Sequence, residues 1–235
     1  MMIFFVIVFL VAFELKIVYF YRKNWDMEEI KQKTIFKNSA EVLDHYGLDF
    51  DYQEFINYDE ITPVDIPDHF LKDLKFSLSN RGKDDKEFYG SEFLIVPFLK
   101  EAWKLHPKVF LFSHPYLQVN DFTLYPDYVV TARSRSGIKI FQKPILMTVE
   151  AKDEQVEKGW FDALLQMVAA RELNSTDRVP IQAIVTTADF WYFGKLENQS
   201  FIRHPFPVGI TDPELLLGVL SYLFGKCEEY AELLK

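Results

Sequence analysis

The chain has 235 residues, of which 49% are hydrophobic and 17% aromatic, and its formal net charge is −9. That is enough apolar side chain for one well-buried domain, and the acidic balance argues against a protein that draws its affinity from a basic stripe along a phosphate backbone. The single Cys227 excludes an intramolecular disulfide and a cysteine-rich zinc site and fits a reducing compartment.

Residues 1–24 are set apart by composition. The run MMIFFVIVFLVAF is apolar, Glu14 and Lys16 follow, and Leu15 and Ile17 to Tyr21 resume the pattern before Arg22 and Lys23. A bilayer span needs about 20 apolar residues, and a charge near mid-helix costs about 2.5–3.5 kcal/mol on the insertion scale. The segment reads as a hydrophobic helix at the margin of insertion, with Arg22 and Lys23 holding the following domain on the cytoplasmic side. It lacks the basic n-region and small-residue cleavage site of a signal peptide. A start codon placed upstream of Met27, where an ordinary amphipathic opening begins, is the other reading.

The remaining elements follow from periodicity and breakers. Residues 26–46 read as a helix and 47–67 as an acidic, proline-punctuated connection, so 25–84 is expected to be a helical and irregular elaboration preceding a core at 85–235. Residues 84–105 have helical period, with Glu92, Ile95, Val96, Leu99 and Trp103 on one stripe and Glu92 therefore expected to be buried. Pro97 predicts a kink or a helix starting near Ser91. Strands are expected at 109–113, 116–119, 127–132, 144–151, 181–187 and 190–196, and helices at 159–172 and 213–234. That order predicts an α/β fold, a central mixed sheet flanked by helices.

One stretch carries chemistry. Asp127 opens a strand directly after Pro126, and 23 residues later the apolar run Ile145-Leu146-Met147-Thr148-Val149 delivers the chain into Glu150-Ala151-Lys152. On a strand, Glu150 and Lys152 project from one face and Ala151 from the other. A tight turn at Ser136-Gly137 would set Asp127 opposite Leu146. Bringing it opposite Glu150 requires extra residues on the second strand, and Gln142-Lys143-Pro144 is the natural place, which predicts an interrupted hairpin. Gln166 stands alone among apolar neighbours and needs a hydrogen-bond partner. Arg133, Arg135, Lys139 and Lys143 form a small basic patch beside these carboxylates and are the candidate nucleic-acid contacts, or simply a solvated loop. The five histidines (His45, His69, His106, His114, His204) lack paired ligand spacing and read as surface or loop residues.

Pro126-Asp127 with Glu150-Ala151-Lys152 resembles the signature of the PD-(D/E)XK nuclease superfamily, the restriction-endonuclease-like fold, over roughly residues 85–196. The resemblance implies metal-dependent hydrolysis of DNA phosphodiester bonds. Asp127, Glu150 and the Ala151 carbonyl would hold Mg²⁺, for which Mn²⁺ substitutes, and Lys152 would orient the attacking water. Glu92 matches the acid of the first helix, acting through a water or a second ion. Gln166 matches the glutamine that some branches carry, although Ala170 stands where those branches have tyrosine. The resemblance also implies a DNA partner and, as in double-strand cutters of this fold, a homodimer; the single cysteine and the charges after the hydrophobic run point to a cytoplasmic site of action, with membrane association through residues 1–24. The alternative is a catalytically idle domain of the same fold serving as a binding or scaffolding module.

Overall fold

The computed structural model describes residues 34–83, 87–120 and 122–234. The expected hydrophobic helix at 1–24, and residues 26–33 of the expected first helix, lie outside them. Asn38 caps α1 (Ser39–Tyr46) by accepting from the Glu41 amide, and Gly47 ends it at φ +60°. There follow β1 (Asp49–Tyr52), α2 (Asp68–Ser79), and a π-helical turn (Gly90–Ile95) running into α3 (Val96–Lys104). Next come β2 (Val109–Ser113), β3 (Leu117–Val119), β4 (Phe122–Leu124), β5 (Tyr128–Ala132) and β6 (Ile145–Ala151). The chain continues through α4 (Val156–Asn174), β7 (Ile181–Thr186), β8 (Phe190–Glu197), β9 (Ser200–Arg203), β10 (Val208–Gly209) and α5 (Pro213–Leu233).

Most of these strands share one mixed sheet in the order β1-β9-β8-β7-β6-β5-β2, with β10 paired to β8; β3 and β4 form a separate hairpin. β6 lies near the middle, parallel to β7 and antiparallel to β5, and every one of its residues is buried. A strand covered on both faces reads as a continuous apolar run, which is why 145–149 looks as it does. Met147, Val149 and Ala151 join the core formed with Phe98 and Leu99 of α3 and Leu217, Leu220 and Phe224 of α5. The opposite face packs under α4, whose Trp160, Ala163, Leu164 and Met167 meet Val129, Ala183 and Val185. The fold is thus α/β with a mixed sheet between helices.

The stretch 25–84 is not a separate elaboration from Thr34 onward. β1 adds in parallel to β9 at the sheet edge, and Ile56, Phe70 and Leu74 enter the α3–α5 core. β1 escapes a reading by pattern because all four residues, Asp-Phe-Asp-Tyr, are exposed. Acids on an edge strand discourage further pairing and erase the apolar signal. Among the described residues no helix is long and apolar enough to cross a membrane.

Candidate functional site

The pairing of β5 with β6 fixes the site. Tyr128 lies opposite Val149, Val129 opposite Thr148 and Val130 opposite Met147, and Asp127, the residue just before β5, is tied to the end of β6 by the Ala151 amide. The register shifts between Val130 and Thr131, where Thr131 meets Ile145 and one residue of β6 is left over. A turn closes at Ser134–Gly137 through the Gly137 amide, Gly137 taking φ +72°. No strand runs from there to Pro144, whose carbonyl accepts from the Ala132 amide. The hairpin is interrupted between turn and strand, as the spacing of the two acids requires.

Four side chains meet at the end of β6 beneath α4. Lys152 Nζ lies 2.5 Å from Glu150 Oε1 and 3.2 Å from Asp162 Oδ2. Gln166 Nε2 donates to Glu150 Oε2 at 2.7 Å, which supplies the partner its burial demands. Asp162 and Gln166 are one helical turn apart, so a single face of α4 holds both the lysine and the glutamate. Asp127 is fixed separately: its Oδ2 accepts from the Ala151 amide at 2.7 Å, while Oδ1 lies 3.6 Å from His114 Nε2. The peptide after Glu150 therefore anchors Asp127, and the Lys152 amide donates onward to the Thr186 carbonyl of β7.

Burial dominates the electrostatics. Glu150 is 4% exposed; loss of water, then the neighbouring Asp127 charge, raise its carboxyl to about 8, although Lys152 opposes them. Asp127 is likewise raised, by burial first, against the stabilising Ala151 amide. Burial alone pulls the Lys152 ammonium down, but Glu150, Asp162 and Asp127 outweigh it and the net shift is upward, so Lys152 remains cationic at neutral pH. Three carboxyls thus crowd one ammonium, an arrangement that favours a proton or a further cation.

Other expected residues are elsewhere. Glu92 is exposed, because Ser91 takes the buried place on the helix and hydrogen-bonds the Tyr128 hydroxyl at 2.6 Å. The reason is the π-helical turn, closed by the Val96 amide on the Ser91 carbonyl, which inserts a residue and moves Glu92 off the stripe that a 3.6 period predicts. Glu92 stays near the start of β5, within electrostatic reach of Tyr128. The basic residues are not beside the carboxylates. Arg133, Arg135, Lys139 and Lys143 occupy the β5–β6 connection, at the opposite end of both strands from Asp127 and Glu150. The Arg133 guanidinium donates to the Pro107 carbonyl and lies over Phe110, and Lys139 lies over Trp103 and Phe112. Of the histidines, His204 is buried, and His106 is partly buried between Ser221 and Glu228.

Asp162 is the member of the cluster that pattern reading passed over. Its signal was an acid four residues before Gln166, within the apolar middle of the helix. His114 escaped as well, since its approach to Asp127 depends on the turn after β2, where it takes φ +48° and its amide donates to the Asp127 carbonyl.

Among the described residues no group of three or more His, Cys, Asp or Glu side chains is spaced to hold a metal ion. The pair Asp127 and Glu150 nevertheless fits Mg²⁺ in donor type, since that ion keeps several waters and takes one or two carboxylates. Gln166 Oε1 is a further buried oxygen in the cluster without a hydrogen-bond partner. In comparisons with known proteins, no family model matches the chain and no curated protein matches it significantly.

Proposed function

We propose that the chain is a metal-dependent nuclease of the restriction-endonuclease-like type, hydrolysing DNA phosphodiester bonds at the end of β6. One observation carries the reading. Asp127, just before β5, is held by the Ala151 amide next to Glu150 on β6, with Lys152 paired to Glu150 and Gln166 bonded to it.

In this reading Asp127, Glu150 and the Ala151 carbonyl would hold Mg²⁺, or Mn²⁺ in its place. Bound there, the ion would neutralise charge growing on the phosphoryl oxygens and acidify a water. The chain's own groups do the remaining work. The Ala151 amide fixes Oδ2 of Asp127, and Oδ1 lies 3.6 Å from His114 Nε2. Gln166 fixes the Glu150 carboxyl plane. Lys152, held cationic by its acidic neighbours, serves as a hydrogen-bond donor that orients the attacking water or the phosphoryl oxygen, and a group so strongly protonated is a poor general base.

Cleavage of supercoiled plasmid with Mg²⁺ or Mn²⁺ tests this. The parent should nick or linearise the plasmid, and Asp127→Ala and Lys152→Ala should lose at least about 100-fold in rate. Equal cleavage by all three would assign the activity to another site or to a contaminant. A second reading has its own support: both Glu150 oxygens already have protein partners, which suits an idle domain that binds without cutting. Absence of cleavage with either ion would favour it.

A further inference from the structure

We infer that Lys152 is a built-in counter-ion that changes partner, leaving Glu150 for Asp162 when Glu150 takes up a cation, and that Asp162 is the positioning residue for this exchange. The catalytic consequence rests on the nuclease reading; the exchange itself is a property of metal binding.

Both Glu150 oxygens are engaged. Oε2 is taken by Gln166 and Oε1 by Lys152. A cation approaching Glu150 therefore competes either with a neutral amide held on a helix or with an ammonium at the end of a flexible stem. Opposition of like charges makes the ammonium the group that yields. An ammonium pushed off its partner inside a protein is strongly disfavoured unless another anion receives it. Asp162 is that anion. Its Oδ2 is already 3.2 Å from Nζ, and the side chains of Lys152 and Asp162 are 15% and 10% exposed, so the pair is poorly screened by water. Lys152 carries three donor hydrogens and can hold both acids at once, so release from one needs only a small rotation.

The backbone leaves room for this. Gly159, one turn before Asp162 on α4, has no side chain where a Cβ would come within 3.1 Å of Lys152 Cγ. Asp162 lies in an otherwise apolar stretch of helix, where a buried acid needs a partner. Its ion-pair partner is Lys152. Without Asp162, the lysine keeps its ion pair with Glu150 and the more distant field of Asp127, the two acids the cation itself would use, so the cation must displace it from its remaining ion pair.

The test is Mn²⁺ titration calorimetry on the full chain, comparing the parent with Asp162→Asn, Lys152→Met and the double variant. Asp162→Asn should weaken Mn²⁺ binding roughly 10–100-fold, the range found for outer-shell partners. Lys152→Met should bind at least as tightly as the parent, because the competitor is gone. In the Lys152→Met background, Asp162→Asn should change affinity by less than about threefold, since no lysine is left to relocate. Cleavage by Asp162→Asn should recover towards the parent rate as Mg²⁺ is raised, a rescue that simple loss of folding would not give.

Equal weakening in both backgrounds would overturn the inference by making Asp162 act on the ion directly, and an unaltered Asp162→Asn affinity would overturn it outright. If Lys152→Met fails to fold, as judged by circular dichroism, Lys152→Gln takes its place. A parent that binds no Mn²⁺ would sink the exchange and the nuclease reading together. A parent that binds and cleaves, with Asp162→Asn indistinguishable from it, would sink the exchange alone.

Discussion

Gly159 of α4 and Val185 of β7 approach so closely that a Cβ on the glycine would lie 2.6 Å from Val185 Cγ1. Val185 is β-branched, fully buried and paired in the ladder with Glu150, so it cannot swing aside. The glycine thus sets the distance between the helix carrying Asp162 and Gln166 and the strand carrying Glu150.

Gly159→Ala should therefore destabilise the fold. Overpacking a core contact costs about 1–3 kcal/mol, and the better helix propensity of alanine offsets up to about 1 kcal/mol. Chemical unfolding should give a net loss of about 1–2 kcal/mol, and adding Val185→Ala should remove the clash and leave a double variant more stable than the sum of the single changes predicts. Strict additivity would mean that the helix is not held off by this contact.

The raised Glu150 carboxyl makes stability depend on pH in a definite direction. In the unfolded chain Glu150 ionises near 4.5, whereas in the fold it keeps its proton to about 8. Across that window the fold binds more protons than the unfolded chain, so stability falls as pH rises and levels off above it. Asp127, also raised, adds to the same slope at its acidic end. Thermal melting of the parent should drop from about pH 5 to about pH 8, and the difference between parent and Glu150→Gln should shrink in the same sense. Mn²⁺ should restore the melting point most at the alkaline side, where the carboxylates are free to bind it. A parent and Glu150→Gln with parallel pH profiles would refute a proton held at this position.

How much of this was legible in the chain depends on what kind of contact each residue makes. Asp127, Glu150 and Lys152 could be found because their order after a proline and at the end of an apolar strand resembles a known signature, although β5 begins one residue after Asp127, and the interrupted hairpin follows from counting residues between them. Gln166 was legible as a polar residue with nowhere apolar to hide. Asp162 obeys the same logic one turn earlier, but an acid near the start of a helix also reads as a favourable dipole partner, so its burial was masked. Glu92 misled because period arguments assume an unbroken α-helix, and a π-turn next to Pro97 breaks the phase. The basic loop misled for a topological reason. Closeness in sequence to both acids is compatible with the far end of both strands, because the hairpin that joins them must turn there.

Gln166→Leu separates its two roles in the cluster. The change removes the donor to Glu150 Oε2, a bond to a buried carboxyl worth about 1.5–3 kcal/mol when that carboxyl is charged. It also removes the unpartnered Oε1, which relieves a buried carbonyl. Below the Glu150 midpoint the two should nearly cancel and leave stability within about 1 kcal/mol of the parent. Above it the missing donor should dominate and the midpoint itself should move upward, because the charged form has lost a hydrogen bond. Urea unfolding at pH 6 and at pH 9 checks this. A loss of the same size at both values would mean that Gln166 acts only through packing.

The position of the basic loop yields the sharpest contrast with a reading by sequence alone. From Ala132 back to Tyr128, β5 puts five residues at about 3.3 Å each between the loop and the start of the site, roughly 16 Å. That is about twice the distance over which exposed charges act at physiological ionic strength, near 8 Å. Arg135 and Lys143 are exposed, so replacing both by serine should leave stability within about 0.5 kcal/mol. Mn²⁺ affinity should stay within about twofold of the parent, because no charge beside the ion has changed. Cleavage of a short duplex should also stay within about twofold, whereas a longer duplex that reaches the loop could lose affinity with a salt slope lower by up to about two phosphate contacts. A fall of more than tenfold on the short duplex would put the loop in the substrate path despite its distance from Glu150, and the strand end would then not be where the phosphodiester is held.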